Sequence, residues 1–137
     1  MEREEIERRI PHRPPFLWID RVEELETGAR CVATLTVNAD NPIFAGHFPG
    51  RPILPGVLLI EAMAQTAGVM LGPAGPAERA LLAAVNRFKF LRPVAPGEPL
   101  RIETRTLTQA ASMAYIEGTI HVKGEKVAIG ELSVAWG

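Results

Sequence analysis

The sequence predicts an α+β domain in which an antiparallel sheet of five or six strands curls around one long buried helix. Three observations predict it. Residues 56–71, GVLLIEAMAQTAGVML, are apolar on every face, which marks a helix enclosed by other structure. The second half of the chain alternates apolar and polar residues with the period of two expected of half-buried strands. The segments between those runs are short turns, which join antiparallel neighbours.

The elements follow in order. Residues 2–9 are rich in Glu and Arg around one Ile and read as a short, mostly solvated helix. Residues 10–15, IPHRPP, cannot continue it, because prolines remove donors and push the preceding residues towards extended geometry. Phe16–Leu25 and Ala29–Val37 read as strands; in the second, Cys31, Ala33, Leu35 and Val37 share one face. Residues 38–56 hold four Pro and three Gly and read as a long irregular segment. Segments of that length inside a small domain are usually functional. Pro55 can open the helix over 56–71, since its missing N–H costs nothing there, and GPAGP at 72–76 stops it. Residues 80–92 form a strand whose end sets Phe88 and Phe90 against Arg87 and Lys89. Residues 100–107 and 114–123 alternate as strands, the latter with Ile116, Gly118, Ile120 and Val122 on one face. Gly124 and Glu125 read as a hairpin turn, and Val127–Trp136 as the last strand.

Composition bounds what the chain does. Its 137 residues suit a single domain over 1–137, and 47% apolar with 23% charged residues excludes a disordered chain. A net charge of −1 argues against a nucleic-acid binder. One cysteine, Cys31, excludes a disulfide framework and a multi-cysteine metal site. The start, MEREEIERRI, lacks an apolar segment of the secretory kind. The apolar stretch from Ile53 to Leu71 is interrupted by Pro55, Gly56, Glu61, Gln65 and Thr66 and does not read as a membrane span. A cytoplasmic protein is expected.

Glu61 is the odd residue of the buried helix. A carboxylate in an apolar setting is costly, so the group keeps its proton or finds a partner. Gln65, four positions on, lies one turn along the same face and can orient it. His47 sits in the irregular segment that feeds the helix, and imidazole suits proton transfer near neutral pH. Gly56 opens the helix, so its N–H points outward without an intrahelical partner and suits a developing oxyanion. Each feature alone also has a structural reading: a wet helix edge for Glu61, a backbone-bonded loop histidine for His47. Together they offer a base, an oxyanion donor and a carboxylic acid. Those parts remove a proton α to a carbonyl and expel a leaving group at the β carbon. His12 reads as structural, His121 as exposed on a polar strand face, and Cys31 as core packing. No spacing of metal ligands and no phosphate loop appears.

GHFPGRPILPGVLLIEAMAQTAG, residues 46–68, closely resembles the signature of the (3R)-3-hydroxyacyl-acyl-carrier-protein dehydratases of type II fatty-acid synthesis. IPHRPPFLWIDRV at 10–22 and RFKFLRPVAPGEPL at 87–100 fall in the order of that family's supporting motifs. The resemblance implies a hot-dog fold, an acyl carrier protein as partner, and a homodimer at least, with a trimer of dimers as the larger alternative. It implies His47 and Glu61 as the catalytic pair, Gly56 as oxyanion donor, Gln65 as polar neighbour of the carboxylate and Ile53 as the residue whose carbonyl orients the histidine. Glu61, where double-bond-isomerising relatives usually carry aspartate, implies the dehydratase-only branch. Pro14 stands where the family often has tyrosine and offers neither hydroxyl nor aromatic gate. The expected reaction needs no cofactor, because the thioester itself acidifies the C2 proton. Acyl carrier proteins are acidic, and Arg87, Lys89 and Arg92 are the candidate basic docking residues. A hot-dog acyl thioesterase, or a dehydratase of a polyketide or aryl-polyene pathway, is the alternative.

Overall fold

The computed structural model describes residues 1–72 and 80–136. Helix α1 spans Arg3–Arg9, β1 Arg21–Glu26, β2 Arg30–Leu35, α2 Ile43–Gly46, α3 Gly56–Leu71, β3 Leu81–Phe90, β4 Leu100–Ala110, β5 Met113–Val122 and β6 Glu125–Ala135. The six strands form one antiparallel sheet in the order β1-β2-β4-β5-β6-β3, and α3 packs across β2, β4 and β5. This is the hot-dog arrangement, and it carries six strands. The expected stop signal at 72–76 lies outside the described residues beyond Gly72, which has φ +87° and donates its N–H to Gly68 O at 3.3 Å.

Sequence alternation explains the core. Ala114, Ile116, Ile120 and Val122 of β5 and Leu100 and Ile102 of β4 are buried in one cluster with Met63, Ala67 and Met70 of α3, and buried Thr104 Oγ1 donates to Met70 Sδ at 3.6 Å. Gly118 shares that face because Met63 lies against it; a Cβ there would clash with the thioether. Close approach of helix and sheet at this point therefore requires glycine. At the far end, Arg9 Nε donates to Val69 O at 2.9 Å and the Gly28 N–H to Met70 O at 2.8 Å, satisfying carbonyls of the last turn of α3.

Four expectations need correction. The strand expected over Phe16–Leu25 begins only at Arg21, because the backbone before it is bonded elsewhere: Trp18 N–H donates to Gln65 Oε1 at 2.9 Å, and Phe16 O accepts from Gln65 Nε2 at 2.7 Å. The segment 38–56 is not wholly irregular. Asn41 Oδ1 accepts the Ile43 N–H at 3.0 Å and starts the one-turn helix α2, which Pro42 precedes rather than interrupts. The last hairpin turns at Lys123–Gly124, not Gly124–Glu125: both have positive φ (49° and 82°), as a two-residue turn between right-twisted strands requires. The alternation expected in β3 is broken by a bulge between Asn86 and Lys89, with Arg87 at φ 51°.

β3 is the sheet edge beyond β6, and four of its large apolar side chains are open while Phe88 packs against the core: Leu81 is 74% and Phe90 50% exposed, with Leu82 and Val85 also uncovered. No helix among the described residues is long and apolar enough to cross a membrane.

Candidate active site

The loop between α2 and α3 is built to hold one imidazole. Phe48-Pro49-Gly50-Arg51 is a tight turn closed in both directions, Arg51 N–H to Phe48 O at 2.8 Å and Phe48 N–H to Arg51 O at 3.0 Å. Proline followed by a glycine with φ +74° is the signature of a type II turn. His47 and Ile53 bracket the turn. Ile53 N–H donates to His47 O at 3.0 Å, and His47 Nδ1 lies 2.8 Å from Ile53 O. A carbonyl can only accept, so Nδ1 carries a proton, and in the neutral ring Nε2 is the nitrogen with the lone pair. The ring stacks on Phe48 with centroids 4.0 Å apart.

The loop feeds directly into α3. His47, Ile53, Gly56, Leu59, Phe90 and Leu91 are among the residues lining a cleft of about 420 Å³. Gly56 is the first residue of α3, where helix N–H groups have no partner within the helix and the dipole is positive. The Phe90 ring lies against it: a Cβ at Gly56 would come 3.0 Å from the ring. An imidazole lone pair and an outward amide thus flank one mostly apolar cleft.

Glu61 is elsewhere on the helix. Five residues beyond Gly56, it is turned about 140° around the axis, and it is not among the residues lining the His47 cleft. Its Oε2 accepts from Gln65 Nε2 at 2.9 Å. Gln65 is fully buried and its amide orientation is fixed, since its Oε1 accepts the Trp18 N–H while its Nε2 also donates to Phe16 O. The setting of Glu61 is therefore less apolar than the helix sequence implies. A second nitrogen faces it as well: His12 Nε2 is 3.4 Å from Glu61 Oε2. Sequence reasoning missed this neighbour. His12 is 49 positions away, and nothing local in PHRP marks the contact. Among the described residues no group of three or more His, Cys, Asp or Glu is placed to hold a metal ion.

Residues 10–131 match the family model of the FabA-like domain. The chain belongs to the FabA-like family. The 3-hydroxyacyl-acyl-carrier-protein dehydratase FabZ of Geotalea uraniireducens is 42% identical over 135 residues, covering 91% of this chain and 93% of that protein. The FabZ dehydratase of Roseiflexus is 43% identical over 134 residues, covering 96% and 94%. Among solved structures, the dehydratase heterocomplex ApeI:P from Xenorhabdus doucetiae superposes with a TM-score of 0.79 at 24% identity, covering 96% of this chain and 90% of that one. A hypothetical thioesterase from Streptococcus pneumoniae with coenzyme A gives 0.67 at 14%, covering 85% and 84%. At those identities the structures share the fold.

The remaining candidates in this FabA-like chain fall differently. Arg92 is no free cation: its guanidinium meets Glu98 through two nitrogens, each at 3.1 Å, and Glu125 at 3.1 Å. Those bonds raise its pKa and hold the Glu98 carboxyl below the usual range. Among the described residues Arg87 reaches only Glu131, at 3.7 Å, and is widely exposed, as is Lys89; the bulge between them removes the period-two argument that placed both on one face. Cys31 is buried in the sheet, and burial pushes its thiol up to about 12, where thiolate chemistry is suppressed.

Proposed function

We propose that this protein dehydrates (3R)-3-hydroxyacyl thioesters, carried on acyl carrier protein, to trans-2-enoyl thioesters in fatty-acid synthesis. The observation that carries the reading is the His47–Ile53 pair beside Gly56: a base with its lone pair directed by a backbone carbonyl, next to an amide that can hold an enolate-like oxygen. His47 Nε2 takes the C2 proton. The electron pair of that C–H bond forms the C2=C3 bond as the C3–O bond breaks. Protonated Glu61 gives its proton to the departing oxygen, which leaves as water. Exchange with solvent removes the proton from His47 and returns one to Glu61.

Glu61 lies off the His47 cleft of its own chain, so this reading takes the carboxyl from a second copy. The open apolar edge of β3 supports such pairing, since an uncovered strand edge of this kind is a template for another chain. A homodimer is the smallest assembly that meets the requirement, and a trimer of dimers repeats it. Arg87 and Lys89 are the residues proposed to receive the acidic carrier, with the paired Arg92 a lesser contributor. Action in the cytoplasm goes with this reading.

The thioesterase alternative shares the fold alone with this chain, whereas relatives at about 40% identity along its length are named dehydratases. The test is to supply 3-hydroxyacyl-acyl carrier protein and follow the enoyl thioester by its ultraviolet absorbance alongside free thiol. Enoyl formation without thiol release is expected. Thiol release without enoyl formation would overturn the proposal.

A further inference from the structure

His12 has no part in the proton transfers of His47 and Glu61 proposed above. It belongs to the proline-rich segment between α1 and β1, yet its Nε2 faces Glu61 Oε2 at 3.4 Å across the chain. Its Nδ1 is buried and has no hydrogen-bond partner among the described residues. Those two facts constrain the proton. A proton on Nδ1 would leave a buried N–H unpaired, which costs more than an unpaired lone pair, and would aim a lone pair at a carboxyl oxygen. A proton on Nε2 gives Glu61 Oε2 a second donor beside Gln65 Nε2.

Gln65 then bonds that oxygen at 2.9 Å, and the His12 ring stands beside the same oxygen at 3.4 Å. Among the described residues no donor bonds Glu61 Oε1. The Gln65 amide cannot reverse, because two backbone groups fix it. Oε2 is thus the oxygen that accepts in either protonation state, and Oε1 is the oxygen left to carry a proton outward.

We propose that His12, as the neutral Nε2–H tautomer, is a positioning residue for Glu61: with Gln65 it pins Oε2 and leaves Oε1 to deliver the proton to the departing hydroxyl. The role rests on the dehydratase reading above. The contact at 3.4 Å is longer than a made hydrogen bond and tightens as negative charge develops on the carboxyl group when its proton leaves. His12 touches neither substrate nor thioester in this account; it acts through Glu61.

The experiment has a readout that does not need turnover. In the wild-type protein labelled with 15N-histidine, the His12 ring should show a protonated Nε2 and an unprotonated Nδ1, and the Nε2–H resonance should move in Glu61→Gln. An Nδ1–H tautomer, or a ring indifferent to Glu61→Gln, overturns the proposal whatever the protein catalyses. Kinetics supplies the second arm. His12→Leu should lower kcat roughly 10- to 100-fold with KM within about 3-fold, while His12→Gln, whose amide can reach the same oxygen, should restore kcat to within about 5-fold of wild type. In the Glu61→Gln background, His12→Leu should cost nothing more, because the group it positions is gone. Equal kcat in His12→Leu and wild type, or additive losses in the double variant, contradicts positioning. A wild-type protein that fails to dehydrate the substrate at all, with the expected His12 tautomer intact, overturns the catalytic role together with the dehydratase reading and leaves only the contact.

Discussion

His47 Nδ1 sits 2.8 Å from the carbonyl oxygen of Ile53, across the mouth of the turn that these two residues bracket. The relation assigns each ring nitrogen a task before any substrate arrives. Nδ1 donates to the backbone, so Nε2 faces the cleft as an acceptor. Proline and glycine at positions 49 and 50 earn their place by closing that turn.

Gly56→Ala tests the oxyanion end of the cleft. The added methyl meets the Phe90 ring at about 3.0 Å, and that half-exposed ring must move. Stability should change by less than about 1 kcal/mol, since alanine is the better helix former and the ring is free to shift. The turnover number should fall about 10-fold as the cleft wall moves over the amide. Thermal unfolding alongside steady-state kinetics separates the two.

Gly118→Ala tests the packing of α3 on the sheet. The methyl would overlap Met63, which is fully buried, so a loss of about 1–3 kcal/mol is expected in denaturant unfolding. An unchanged midpoint would mean that Met63 has room to move.

Arg87 and Lys89 test carrier docking. Reversing both charges should weaken kcat/KM on carrier-bound substrate severalfold and leave a short pantetheine thioester unaffected. The same reversal at Arg92 would unseat Glu98 and Glu125 and should show first as lost stability.

Acid should destabilise the protein through Glu98 and Glu103. A hydrogen bond from Arg92, then one from the Ala95 N–H, lowers the Glu98 pKa; Arg30 does the same for Glu103. Below the ordinary carboxylate range the unfolded chain binds these protons first, so stability rises with pH there. The contribution is complete above that range and is lost as pH falls through the lowered folded values. Glu98→Gln should be less stable at neutral pH and should converge with wild type in acid, as read from melting temperature against pH.

Much of this was legible in the sequence because it is local. The bounds of α3 follow from Pro55, a mainly apolar run and Gly72, and strands β4 to β6 follow from period-two alternation. What escaped depends on contacts between distant residues. β1 starts later than the sequence pattern predicts because Gln65 takes the backbone bonds of Phe16 and Trp18, and no pattern within 16–20 reveals that. The bulge at Arg87 and the shift of the last turn to Lys123–Gly124 are matters of backbone torsion that alternation does not encode. The His12 contact with Glu61 joins segments 49 residues apart.

The central claim is that His47 and Glu61 drive dehydration from two different copies of the chain. His47→Ala and Glu61→Gln should each lower turnover by at least ~100-fold with the fold intact, since each removes a proton carrier. The deciding measurement is the activity of the two variants co-expressed so that their subunits mix. With shared sites, a mixed dimer has one doubly damaged site and one wild-type site. Random pairing makes about half of the dimers mixed, so roughly a quarter of wild-type activity should return. No recovery, with mixed dimers confirmed by mass spectrometry, would place both residues of one site on a single chain and contradict the account.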